Sequence, residues 1–435
     1  IRLSNRSDIY ASIILSLWNE LNENGRLGLV LSNSWLGVDW GDNFKKVLTH
    51  YFKIETILIS NHGRWFSNAD VVTTVLILNK KEFSTPDLQD TITFGIVKKR
   101  ISELEQDSTL VDNLVDSINI NNPISNNLLS LKSYSLGDTL RFDELGISWN
   151  ALFYNMAWLD DIIDKFVPLN TIFRIFRGSR RGWDDMFFPR THEIEDSYIG
   201  KAILNSRAIS SLTVEPDSDA FMCLDSIEDL KLRGDSGALN WIRRFETVRN
   251  GTGHYLPGVL DKSRNKTHEN YWYSLSPAYS QADFITTLNP DRRIFVAKTL
   301  ERCFINQRLI GLRTLTENYD KDLLFALLNS VLFLLFIESS GFPRGLGALD
   351  LNTKKFNKIM ILNPDLISDD NKMLIKNSFS NLVNREIHTT IEELELEDRI
   401  EFDKLVLRVF GIEDYYDLIK QTLINMQTAR LSVLD

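Results

Sequence analysis

Along residues 1–80 the apolar positions switch between helical and extended spacing. Ser7 or Asp8 can cap a helix whose apolar face carries Ile9, Tyr10, Ile13, Ile14, Leu17, Trp18 and Leu21. Residues 22–25 end it, with Gly25 suited to the left-handed stop position. Residues 27–31 form a nearly continuous apolar run, which predicts a buried parallel strand with Ser32, Asn33 and Ser34 at its carboxyl end. A helix is predicted over about 42–51, a strand over 54–60, a polar loop over 61–70 and a β-branched strand over 71–78. This order describes part of an open α/β sheet, where ligands sit at the carboxyl ends of strands.

Beyond residue 80 the pattern loosens. Residues 92–97 predict one more strand, and the Asn/Ser-rich stretch 119–127, with its proline, predicts a linker or exposed loop. The longest apolar stretch, 323–337, is interrupted by Asn329 and Ser330. It falls short of the ~20 apolar residues of a membrane span, so a buried helix is expected and no membrane partner.

Composition narrows the function. The 435 residues carry a net charge of −10, which excludes a simple DNA-coating protein but leaves room for a local basic groove. Acidic residues cluster at Glu215–Asp229 and again from Glu392 to Asp403. The second cluster is a poor DNA partner that should pack on protein or face solvent. Two cysteines, and no charged-then-apolar leader, fit a reducing cytoplasm, and the cysteines and six histidines show no metal-ligand spacing.

The motifs become specific when taken in order. Asp8-Ile9-Tyr10-Ala11 and the stretch 23–36 (Glu-Asn-Gly-Arg-Leu-Gly-Leu-Val-Leu-Ser-Asn-Ser-Trp-Leu) are followed by 66–78 (Phe-Ser-Asn-Ala-Asp-Val-Val-Thr-Thr-Val-Leu-Ile-Leu). Together they resemble the region after the Asn-Pro-Pro-Tyr motif of adenine-N6 DNA methyltransferases, ending in that family's aromatic loop and final hairpin strand. Further on, residues 178–187, 327–330 and 345–351 resemble landmarks of the target-recognition domain in single-chain type IIG restriction–modification enzymes. The resemblance implies an α/β chain in three parts. A partial Rossmann-like methyltransferase sheet (1–120) leads through a linker (121–165) to a mixed α/β target-recognition domain (166–370) and an acidic helical C-terminal tail (371–435).

It also implies methyl transfer from S-adenosylmethionine to an adenine flipped out of duplex DNA. The family's Gly-rich cofactor loop and Asn-Pro-Pro-Tyr motif are absent here: Asn289-Pro290 and Asn363-Pro364 lack the second proline and the tyrosine. No catalytic residue is therefore assigned, and the cofactor is expected to be bound mainly by an N-terminal half preceding Ile1. An upstream nuclease domain in the same parent chain would fit the type IIG layout. By resemblance Phe66 packs on the flipped adenine; the alternative is a loop phenylalanine, neighboured by Trp65, that pins the hairpin. Ser32 and Asn33 could face the cofactor or base, or form a turn that caps the helix of Trp35. Tyr10, Trp18 and Trp35 read as core.

Candidate DNA contacts follow from charge. Arg174, Arg177, Arg180 and Arg181 occur with no acid between Thr171 and Trp183, and Gly178 and Gly182 would let this turn approach another backbone closely. Lys262 and Arg264 precede Tyr271-Trp272-Tyr273, a DNA-facing loop or core aromatics. Arg292, Arg293, Lys298, Arg302, Arg308 and Arg313 form a longer basic run, of which about half should touch DNA. Arg344, Lys354 and Lys355 are phosphate candidates, with a solvated helix face as the competing reading. Two other functions stay open: a non-catalytic DNA-specificity subunit or degenerate methyltransferase, and an unrelated nucleotide-binding enzyme.

Overall fold

A computed structural model describes residues 3–66, 71–119, 126–178, 182–204, 209–267, 270–344, 347–351 and 353–434. The first sheet holds β1 (Arg26–Ser32), β2 (Phe52–Ser60), β3 (Thr73–Lys80), β4 (Thr91–Val97) and β5 (Leu129–Ser135), in the order β1-β3-β2-β4-β5. β3 runs antiparallel to both β1 and β2, so these two point the same way, with helix Asp39–Tyr51 between them in the chain. Ser32 and Ser60 thus lie at the same end of the sheet. The β-branched and aliphatic run from Thr73 suits β3's central place, where Leu76 and Leu78 are fully buried.

One face of this sheet is covered by helices Ile101–Gln106 and Ser108–Asn119 over a cluster that includes Leu58, Leu114 and Leu131. The other face joins the main core. There Trp35 is fully buried, with its indole N–H donated to Thr74 Oγ1 at 3.1 Å, and the Trp18 indole donates to Lys81 O. The outer edge differs from expectation. β1 has no second neighbour among the described residues, and Ile9, Ile13 and Val30 are 76, 51 and 55% exposed. Only Ala11 and Ile14 of the first helix are buried.

Residues 126–165, expected within a linker, are structured. β5 closes the first sheet, and Ser135 caps helix Leu136–Glu144 in a reciprocal box with Asp138. Leu129 and Leu131 are buried in the cluster under the two helices and Tyr134 in the main core, but the serines and lysine between these positions mask the strand in the sequence.

After β6 (Phe166–Pro168), a seven-stranded sheet comprises β7 (Phe173–Arg177), β8 (Ile199–Ile203), β9 (Thr213–Val214), β10 (Ser218–Phe221), β11 (Gln281–Thr287), β12 (Ala297–Ile305) and β13 (Leu309–Thr314). Its main path is β10-β8-β12-β11-β13-β7. Between β7 and β11 the chain builds a small second core around Phe187, Phe221, Ile242, Leu256 and Tyr273. Tyr273 belongs to this core and donates to Asp225 O. A hairpin of β14 (Phe342–Pro343) and β15 (Leu349–Asp350) follows, then β16 (Met360–Leu362), which pairs with β6.

The apolar stretch forms two helices, Lys321–Leu327 and Val331–Ser340, bent by 65° at Asn329 and Ser330. Asn329 is buried and satisfied: it accepts from Val296 N and donates to Val296 O and Phe325 O. Among the described residues no single helix is long and apolar enough to cross a membrane. The chain is mixed α/β with a helical C-terminal region, and one hydrophobic cluster extends from Ala11 in the first helix to Met426 in the last. Part of the acidic run is internal: Arg399 binds Asp403 at 2.6 and 3.1 Å, and Asp403 accepts the Val331 N–H at 2.7 Å.

Candidate nucleic-acid interface

Two adjoining depressions of about 960 and 970 Å³ share Arg177, Leu288 and Asn289, and so form one groove. Arg177 ends β7, and the loop after β11 supplies Asn289, Arg292 and Arg293. The β12–β13 turn supplies Arg308, and the hairpin supplies Arg344, with Lys354 just beyond it. The opposite wall comes from the first lobe, with Arg6, Val38, Asp39 and Trp40. Seven basic side chains line the groove against three acidic ones, Asp39, Asp291 and Asp350. The groove is thus basic inside a chain of net charge −10.

The basic residues differ in how they are held. Arg292 and Arg308 are exposed and make no ion pair among the described residues. Arg177 donates from Nε to Gln307 O at 2.7 Å, and its terminal nitrogens make no hydrogen bond among the described residues. Arg293 donates to Ile209 O, Arg344 pairs with Asp350, and Lys354 stands 3.8 Å from Asp39.

The long basic run divides by strand geometry. Arg302 and Lys321 hold the buried Asp283 carboxylate, Arg313 donates to Pro277 O, and Lys298 pairs with Asp322. Burial alone would raise the Asp283 carboxyl, but hydrogen bonds from Arg302, Lys321 and Thr314 outweigh it and hold it below its usual value. Arg174 is likewise turned onto backbone, at Ala278 O. These arginines stabilise the sheet, and the groove takes Arg292, Arg293 and Arg308.

Lys355 corrects the expectation placed on it. It is 4% exposed, bonds Asp42 at 3.3 Å and faces Asp143, so it cannot reach a ligand in the groove. Its short helix, Thr353–Phe356, turns Lys355 and Phe356 inward and Lys354 outward. Lys262 is exposed on helix Leu256–Thr267 of the small second core and lines neither part of the groove. Arg180 and Arg181, and the side chain of Arg264, lie outside the described residues. Arg308, expected only as one member of the long basic run, lines the groove, whereas Arg6 was not singled out from the sequence and carries no local signal beyond its charge.

A second depression, of about 630 Å³, opens at the carboxyl end of β2. Phe66, 42% exposed, lines it with Trp65, His62, Arg100 and Val433. Beside it, sharing Ser60 and Val433, is a smaller cavity of about 60 Å³ lined by Asn33, Tyr154, Glu338 and Arg430. It has room for a few water molecules but not a purine. Asn33 is buried there, its backbone N–H bonded to Val72 O and its amide 3.4 Å from Pro343 O. Ser32 Oγ lies 2.8 Å from Ser34 Oγ, which meets Tyr10 OH at 3.3 Å. A 3-10 turn, Asn33–Leu36, follows, and Ser32 makes no side-chain bond to its backbone.

No protein-family model and no curated protein sequence matches the chain. Among solved structures it is similar to the type IIG restriction endonuclease BpuSI, at 11% identity over 99% of this chain and with a TM-score of 0.45. It is also similar to the type IIL restriction-modification enzyme MmeI, solved in complex with DNA, at 12% identity over 97% of this chain and with a TM-score of 0.49. The chain spans about half the length of each, 50% and 52%.

Proposed function

We propose that the chain is the DNA-reading part of a site-specific adenine-N6 DNA methyltransferase of a restriction–modification or other phage-defence system. The observation that carries this reading is the convergence of Arg177, Arg292, Arg293, Arg308, Arg344 and Lys354, distant in sequence, on one groove between the lobes. Guanidinium forks match phosphate oxygens, and such contacts fix a duplex in register before any base is read. Phe66 supports the reading at a second place. It is an exposed aromatic in a cavity within the roughly 300–1,000 Å³ range of small-ligand sites, and stacking a flipped base there would contribute ~1–3 kcal/mol.

The residues present do not make a complete S-adenosylmethionine site. Ser32 and Ser34 are engaged with each other and Ser34 with Tyr10, Asn33 is bonded to backbone, and the family's Gly-rich cofactor loop is not in this sequence. The bare apolar edge of β1 supports a sheet continued by preceding polypeptide, which in this reading carries the cofactor loop and the amine-binding motif.

The test is tritiated methyl transfer from S-adenosylmethionine to mixed-sequence duplex DNA by the full-length protein, with Phe66→Ala beside it. Incorporation as N6-methyladenine, lowered about tenfold or more in the variant, is expected. Salt-sensitive duplex binding without incorporation would favour the non-catalytic specificity subunit, and failure of both would overturn the DNA reading.

A further inference from the structure

We propose that Arg430 is a positioning residue for the groove, setting the spacing of the two loops that carry Arg292 and Arg344. This rests on the duplex reading above. Arg430 lies on helix Tyr416–Leu431, and its side chain and that of Glu338 are each 2% exposed. Its Nε donates to Glu338 Oε1 at 2.7 Å and its Nη2 to Oε2 at 3.0 Å. The same fork reaches two backbone carbonyls: Nη2 donates to Asp291 O at 2.9 Å, and Nη1 to Gly347 O.

Those carbonyls stand directly behind the groove. Asp291 precedes Arg292, and Gly347 closes the turn begun at Arg344 by donating its N–H to Arg344 O at 3.0 Å. The loop and the hairpin are joined at the surface only through Leu349 N to Pro290 O, Leu351 N to Leu288 O and the Asn289 side chain, among the described residues. Arg430 pins both from behind, and Glu338, on the fully buried helix Val331–Ser340, fixes the orientation of its guanidinium. The geometry needs arginine. A lysine could keep the charge pair with Glu338, but its single nitrogen cannot span both carbonyls as well. A buried pair is weak grounds for a stabilising role, which leaves geometry as its use.

The test compares wild type with Arg430→Lys in the full-length protein, and with Arg430→Met combined with Glu338→Leu, which leaves no buried charge unpaired. Duplex affinity is measured against salt, and amide exchange is followed at Leu349 and Leu351. In Arg430→Lys, with its melting temperature retained, affinity should fall about tenfold. The slope of log affinity on log salt should shrink by about 2, two phosphate contacts at roughly 0.9 each. Exchange at both amides should quicken, as it should in the double variant. Wild-type affinity and exchange in either variant would overturn the proposal. If wild type itself binds no duplex, the DNA reading falls, and exchange alone decides whether Arg430 holds the two loops.

Discussion

Lys355 and Asp42 meet at 3.3 Å across 313 residues of sequence. The same carboxylate binds Lys45 at 2.9 Å, so one acid serves two buried amines where the first lobe meets the helix after the hairpin. Burial foremost, and then the Lys355 charge, pushes the Lys45 amine down to about 8, against the opposing pull of Asp42. Asp42 is itself held below its usual value, because the lysine charges outweigh its burial.

A pH dependence follows. Between about 8 and the ordinary lysine value of 10.5, the unfolded chain keeps the Lys45 proton and the folded chain has lost it. Stability therefore rises with pH across that window, and the contribution is lost as pH falls through 8. Relative to Lys45→Met, wild type should gain roughly 3 kcal/mol over the window, from the depression at about 1.36 kcal/mol per unit. Urea unfolding at several pH values measures it; a constant difference between the two proteins would refute it.

The division of the basic run can be tested one residue at a time. Arg292→Ala and Arg308→Ala should each weaken duplex binding uniformly across sequences and lower the salt slope by about 1. Arg302→Ala should leave the slope unchanged but destabilise the fold, because Asp283 keeps only Lys321 and Thr314. A slope change with Arg302→Ala would place that residue in the interface instead.

Asp403 stands at the centre of the C-terminal packing. Its replacement by alanine leaves Arg399 buried without its partner and uncaps Val331, and should cost about 3–5 kcal/mol. Asp403→Asn keeps the hydrogen-bond geometry and should be milder. Thermal melting separates the two, and equal, small losses would contradict the assignment.

Gly178 has no space for a side chain: a Cβ would stand 2.0 Å from Asn306 O. Gly178→Ala should therefore push β7 away from the β12–β13 turn, lowering both the melting temperature and duplex affinity through Arg177. Gly182, at φ +89° with its closest neighbour 3.9 Å away, is set by conformation, and Gly182→Asn should be tolerated better than Gly182→Val. Equal tolerance at the two glycines would count against a close approach at Gly178.

The sequence was most legible where one residue pattern decided one element. The apolar run at 27–31, the β-branched run from 71 and the Asn329-Ser330 break all appear as elements or boundaries, although among the described residues the first is an antiparallel edge strand in which only Leu31 is buried, not the buried parallel strand expected. Side-chain destination was less legible. Lys354 and Lys355 look alike in the chain, yet one faces the groove and the other Asp42, a choice made by a helix from the far end of the sequence. Arg302 and Arg308 are separated in the same way, by their places in β12 and in the turn after it. Sequence charge marked the neighbourhood of the groove, and tertiary packing decided which charges line it.

Synthesis order gives the Arg430 contact a consequence in time. Arg292 and Arg344 leave the ribosome before Arg430, and at about 5–20 residues per second their loops spend several seconds without the side chain that holds them. A nascent chain stalled before residue 416 would thus carry every groove arginine without the helix behind them, so nucleic acid met during translation would find an unfinished surface. Competence to bind would arrive late, with the helix that never touches the ligand.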